Sequence, residues 1–107
     1  MTLKTLATIL SGTKIPTRYG YWPDESRPKC PYIEYEEAYT SNFGAENKAY
    51  QRVSHIDIFL FTDKKDLVSE GAVESALDNN DIFWNKTESF SESEKTYQIL
   101  YEVSIYG

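Results

Sequence analysis

Two hydrophobic periods alternate along this chain, and the places where one gives way to the other set the order of elements. Leu3, Leu6, Ala7 and Leu10 recur at helical spacing behind Thr2, a ready N-cap, and Gly12 offers a left-handed stop. A short amphipathic helix is expected over 2–10. Residues 15–22 contain Pro16 and Gly20, which strands tolerate only at edges, ends or bulges, so a brief edge strand is expected there. Pro23, Pro28 and Pro31, interleaved with charged residues, describe an extended, exposed connector over 23–31. From Tyr32 to Tyr39 the residues Ile33, Tyr35 and Tyr39 alternate with Glu34, Glu36 and Ala38, the period of a half-buried strand, with Glu37 breaking the apolar face. Residues 40–48 are turn-rich and form an expected loop around Asn42 and Phe43.

The longest strand pattern follows over 50–62, with Ile56, Ile58 and Leu60 on one face and His55, Asp57, Phe59 and Phe61 on the other. Thr62 to Asp66 supplies an N-cap and an acidic first turn ahead of Leu67, Val68, Ala72, Val73, Ala76 and Leu77, a second helix. Gly71 inside it is read as room for close approach to a sheet. Ile82 opens a strand toward Ser89, the cluster around Ser91 and Glu94 turns the chain, and Tyr97, Ile99, Tyr101, Val103 and Ile105 alternate in a final strand. This order predicts an α+β fold: a mostly antiparallel sheet of roughly four or five strands, with two helices packed on one face. The other face has no third helix to cover it, so it points toward a subunit or partner.

A chain of 107 residues is one domain's worth of sequence, so 1–107 is taken as a single domain. The formal charge of -6 disfavours gripping nucleic acid or anionic membranes. One cysteine, Cys30, excludes an intramolecular disulfide and any cysteine-rich metal site, and fits a reducing compartment. Neither a signal peptide nor a membrane span is visible. Aromatic residues reach 15%, led by nine Tyr, which suits both pleated strands and protein interfaces.

Catalytic chemistry finds little purchase. His55 is the single histidine and sits mid-strand without a motif, so a nucleophilic arrangement would have to be built around it and a hydroxyl or the distant Cys30. Asp78 and Asp81 read as a helix-ending turn, Glu34 and Glu36 as solvated acids, and Lys64-Lys65 as a capping turn. The glycines make no phosphate-binding loop, and Cys30 beside Lys29 has only charge to lower its pKa. No enzyme, metal or cofactor is expected. Trp22 and Phe43, aromatics on polar segments, are either partner anchors or residues folded back onto their own core.

Four stretches carry a resemblance: Pro31-Tyr32-Ile33-Glu34-Tyr35, Ser41 to Tyr50 with Asn42-Phe43-Gly44 inside it, Phe61-Thr62-Asp63-Lys64-Lys65-Asp66-Leu67, and Leu100 to Tyr106. In these and in element order the chain resembles the tail-terminator or head-tail joining proteins of siphophages and prophages of Gram-positive bacteria. The resemblance implies an α+β subunit of a homohexameric ring that caps the tail tube, meets the tail tube protein and the head-tail connector or stopper, and lets DNA pass without specific binding. It implies localisation in the virion, at the head-proximal end of the tail, and in the host cytoplasm during assembly. A closed ring needs two different complementary patches per subunit. The candidates are the sheet face with Phe59 and Phe61, the loop with Asn42 and Phe43, and Trp22. Glu34, Glu36 and Glu37 are candidate lumen-facing acids. The alternatives are another connector, stopper or minor capsid component, or a monomeric phage-encoded adaptor or inhibitor that grips a host protein.

Overall fold

Thr2 does cap the first helix: its Oγ1 accepts from the Thr5 backbone N–H at 3.2 Å, and α1 runs Leu3–Ser11. The computed structural model of the chain describes residues 1–44 and 50–106, with the side chains of 42–44, 50 and 51 outside that description. After α1 come β1 (Thr17–Tyr19), a 3-10 turn (Asp24–Ser26), β2 (Tyr32–Gly44), β3 (Tyr50–Thr62), α2 (Leu67–Asp78), β4 (Trp84–Ser91) and β5 (Thr96–Tyr106). The strands form one five-stranded sheet in the order β1-β2-β3-β5-β4, antiparallel except for the parallel β1–β2 pair. This is the expected α+β class. No helix among the described residues is long and apolar enough to cross a membrane.

One sheet face holds the core. Ile33 and Tyr35 of β2, Ile56, Ile58 and Leu60 of β3, and Ile99, Tyr101 and Val103 of β5 meet Leu6 and Leu10 of α1 and Val73 and Leu77 of α2 in a single buried cluster. Each fully buried aliphatic side chain contributes roughly 1.5–3 kcal/mol, so this face carries most of the stability.

Several expectations are corrected. α1 ends at Gly12 in right-handed conformation (φ -64), because three carbonyls of the last turn already accept its N–H, and the left-handed residue is Lys14 (φ 68). The 23–31 connector is not uniformly extended and exposed: it contains the 3-10 turn, and Arg27 is drawn down by ion pairs to Asp24 and, at 3.2 Å, to Glu94 in the β4–β5 turn. Residues 40–44 continue β2 instead of looping, while 45–48 of the expected loop lie outside the described residues. β4 starts at Trp84 rather than Ile82, since Ile82 is spent closing α2, its N–H reaching the Leu77 carbonyl at 3.0 Å. Leu67 and Val68 do not face the core but stand 71% and 84% exposed, and Ser69 and Glu70 are buried in their stead. Asp66 is the residue that caps α2, accepting from the Ser69 N–H at 3.0 Å. Around Gly71 there is no close approach, for an added Cβ would meet nothing within 4 Å.

A β-bulge between Glu37 and Tyr39 changes which face the rest of β2 presents. Glu37 lies opposite the core-facing Ile56, whereas Tyr39 pairs with His55 on the uncovered side. Strict alternation would have put Tyr39 beside Ile33 and Tyr35.

Candidate functional site

The uncovered face is built from the residues that alternate with the core. Its first row runs Tyr32, Phe61, Gln98, Ser89; the second runs Glu34, Phe59, Leu100, Thr87; the third runs Glu36, Asp57, Glu102, Asn85. Phe59 and Phe61 fall here as expected, half-buried, 6.3 Å apart between ring centroids. Phe61 also stacks on Tyr32 at 4.8 Å. Trp22 is folded back onto this end of the sheet, edge-on to Tyr32 at 5.7 Å, while its backbone N–H donates to Glu34 Oε2 at 3.0 Å. The face therefore has an aromatic end at Trp22, Tyr32, Phe59 and Phe61.

The three candidate acids part company. Glu34 is 7% exposed and tied to the Trp22 backbone, so it is not a solvated acid. Glu36 stands on the same face and accepts from the Tyr21 hydroxyl at 3.2 Å. Glu37 lies on the opposite face, where its carboxylate accepts from Thr40 Oγ1 at 2.6 Å and is held below the usual glutamate range by hydrogen bonds from Thr40 and Ser54. The side chains of Asn42 and Phe43 lie outside the described residues; their backbones pair with Arg52 and Gln51.

Missed in the sequence is the third row itself. Glu36, Asp57 and Glu102 stand directly opposite one another on three adjacent strands. Among the described residues no lysine or arginine pairs with any of them. Burial, then Glu102 and Glu36, push the Asp57 carboxyl above its ordinary range. The signal was available in the i, i+2 spacing of Asp57 with Phe59, but the register that lines up three acids is not written in any one strand.

The other face carries charge of a different kind. Glu70, 2% exposed, is held between Lys65 at 2.8 Å and Lys86 at 3.1 Å; Lys65 also reaches Glu88 at 2.5 Å, and Lys86 reaches Glu74 at 2.7 Å. The buried Tyr101 hydroxyl donates to Glu74 at 2.8 Å. Burial alone would raise the Glu70 carboxyl, yet hydrogen bonds from Lys65 and Lys86 carry it below its ordinary range. This network clamps α2 onto β4 and β5. Sequence periodicity overlooked it because Glu70, Val73 and Leu77 share a helix face that Leu67 and Val68 were expected to define.

Catalytic geometry is not assembled around His55. Its ring stacks under Tyr39 with centroids 4.1 Å apart, and its two nitrogens lie 3.2 Å from the hydroxyls of Ser41 and Ser104. No carboxylate among the described residues hydrogen-bonds it. Cys30 lies beyond the far end of β3, about 20 Å away along the strand. Its thiol is pushed up by burial and by Asp63, the reverse of activation, with Arg27 opposing. No group of carboxylate, cysteine or histidine side chains among the described residues is arranged to hold a metal.

One concave surface stands out at the β4 edge. A groove of about 670 Å³ opens between the end of α2, the start of β4 and the end of β5. Trp84 and Ile105 lie in it, and Phe83, 89% exposed, stands at its rim. Trp84 is fixed by its indole N–H donating to Asp78 at 2.9 Å.

The architecture has a counterpart among solved structures. A chain in the virion of the native gene transfer agent (GTA) particle superposes with a TM-score of 0.59 at 13% identity, over 95% of this chain and 84% of that one. The likeness is one of fold. No family model matches the chain, and no curated protein does.

Proposed function

We propose that this chain is a structural virion protein of a tailed phage or prophage, in the role of a tail terminator: a homo-oligomeric, hexameric ring that caps the tail tube and joins it to the head connector. The supporting observation is the fold shared across 95% of the chain with a component of a gene transfer agent virion. The motif resemblance in residues 31–35, 41–50, 61–67 and 100–106 supports the terminator role within that class.

In this reading the open sheet face does the work and no reaction is involved. Glu36 and Asp57 of the acid row line the lumen, where uncompensated carboxylates repel the phosphate backbone and let DNA slide past. Glu34 and Glu37, spent on Trp22 and on Thr40, contribute little to that wall. The aromatic end, with Trp22, Phe59 and Phe61, meets the tail tube protein or the connector. Asn42 and Phe43, at the far end of β2, form a second contact.

The test is capping. Purified protein is mixed with purified tail tubes and imaged by negative stain, with mass followed by light scattering. A discrete cap at one tube end is expected, and Phe59→Glu should remain folded while losing the cap. Protein that ignores tubes and remains monomeric, but is pulled down on a host protein, would replace this reading with that of an adaptor.

A further inference from the structure

Charge is laid out unevenly along this chain and across its sheet. Residues 1–23 carry Lys4, Lys14 and Arg18 and no acid, so all 17 Asp and Glu lie beyond them. The sheet turns that asymmetry into two unlike edges, with β1 at one side and β4 at the other.

The β1 edge is basic and aromatic. Lys14 and Arg18 are exposed, and Tyr19 and Tyr21 beside them are 50% and 66% exposed. Neither cation has an ion pair among the described residues. The β4 edge is acidic and apolar. Its groove is lined by Asp78, Asp81 and Glu102 against a single cation, the Met1 ammonium that donates to the Tyr106 carbonyl at 2.7 Å, and Phe83, Tyr106 and the Met1 side chain offer apolar contact around it.

We infer that the β1 edge of one copy of this chain docks in the β4-edge groove of a second copy. The inference rests on the ring reading above and names its contact. Lys14 and Arg18 face Asp78, Asp81 and Glu102, while Tyr19 and Tyr21 pack against Phe83 and Tyr106. Aromatic pairs supply buried area, and the opposed charges set register and partner choice. Because the two patches differ and sit at opposite edges, the contact is heterologous: each copy keeps one donor edge and one groove free until rotation closes the assembly. A two-fold dimer through the β4 edge would set acid against acid, and one through the β1 edge would set cation against cation, so like charge works against both. Of the open face only Glu102 takes part, and of α2 only its last residue, Asp78, which leaves Glu36, Asp57 and Phe59 free for other roles.

The experiment is light-scattering mass after gel filtration of the full chain, over a concentration series, with folding of each variant checked by circular dichroism. Arg18→Glu and Glu102→Lys should each weaken self-association by roughly tenfold or more, and Phe83→Ser, at an exposed site, should weaken it without loss of stability. An equimolar mixture of Arg18→Glu and Glu102→Lys should associate again, because in alternating order every contact regains opposite charges; no mixture should rescue Phe83→Ser. Folded single variants that associate like the parent would overturn the inference, as would a mixture that stays dissociated. A parent chain that is monomeric up to about 1 mM would overturn it too. The ring reading is judged separately by capping of tubes: caps that form with all three variants would leave that reading standing and remove only this contact.

Discussion

Two clusters of carboxylates sit on opposite faces of the same sheet, and the structure treats them in opposite ways. On the helix-covered face Glu70 is nearly inaccessible, yet two lysines hold it ionised and Tyr101 braces its neighbour Glu74. On the open face Glu36, Asp57 and Glu102 meet across three strands with no cation among the described residues to relieve them. Like charges directly opposite in a sheet are destabilising, so the second arrangement costs the monomer stability. The lesson is that one sheet can hold both arrangements: compensated charge fastens a helix on one face, and on the other a row of acids is left without a cation among the described residues.

The sharpest break in this comparison uses adjacent residues. Ile58→Asp, a charge placed unpaired in the core face, should cost about 4 kcal/mol or more, whereas Phe59→Gln on the open face, which sets no second acid opposite Glu34, should stay within about 1 kcal/mol. Denaturant unfolding of both variants checks it, and comparable losses would mean that the open face is a second core.

Next in size is the clamp itself. Lys86→Met leaves Glu70 with Lys65 alone and Glu74 with the Tyr101 hydroxyl alone, and should cost about 2 kcal/mol, less than a fully buried pair because Lys86 is partly exposed. The same substitution should make the α2–β4 junction more sensitive to protease than in the parent chain, read by limited digestion.

Smaller, and opposite in sign, is the acid row. Asp57→Asn should stabilise the chain by about 1 kcal/mol in neutral buffer. The pH dependence separates the clusters. The Asp57 carboxyl is raised in the folded state, so its penalty is present at neutral pH and is relieved as pH falls through that raised value. The Glu70 carboxyl is lowered, so its contribution is complete above the ordinary glutamate range and is lost as pH falls through the lowered value. Thermal melts from neutral toward acid should therefore show stability rising first and falling afterwards. Asp57→Asn should flatten the rise and Glu70→Gln the fall.

The smallest effect lies in the helix that carries the clamp. Gly71→Ala meets open space and should stabilise α2 by about 0.5 kcal/mol, seen as a small upward shift of the melting midpoint. Any loss would mean that the side of α2 at Gly71 is occupied in solution.

What the sequence displayed clearly was periodicity. The faces of β3 and β5 are those that Ile56-Ile58-Leu60 and Ile99-Tyr101-Val103 spell out, and Thr2 marks its helix start. What it concealed were consequences of register and of single-residue geometry. Glu70 is buried because Lys65 and Lys86, from elsewhere in the chain, converge on it, and no local pattern announces that. The same holds for Asp57, whose like-charged neighbours come from β2 and β5. Phe83 follows Ile82, the expected strand start, but closure of α2 through Asp81 in left-handed conformation (φ 57) leaves it outside β4 and exposed. Trp22 had two readings, and the hydrogen bond from its backbone to Glu34 belongs to the folded-back one.

The bulge between Glu37 and Tyr39 bears on how this molecule can change over generations. Before it, alternate residues of β2 face the core, and after it the alternation has been shifted by one position. Residues from Tyr39 onward are thereby released from the hydropathy code that constrains Ile33 and Tyr35. Tyr39 and Ser41, which meet His55, are thus free to vary without moving Ile33 and Tyr35, whereas Val53, opposite Ser41 and 3% exposed, stays bound to the packed body.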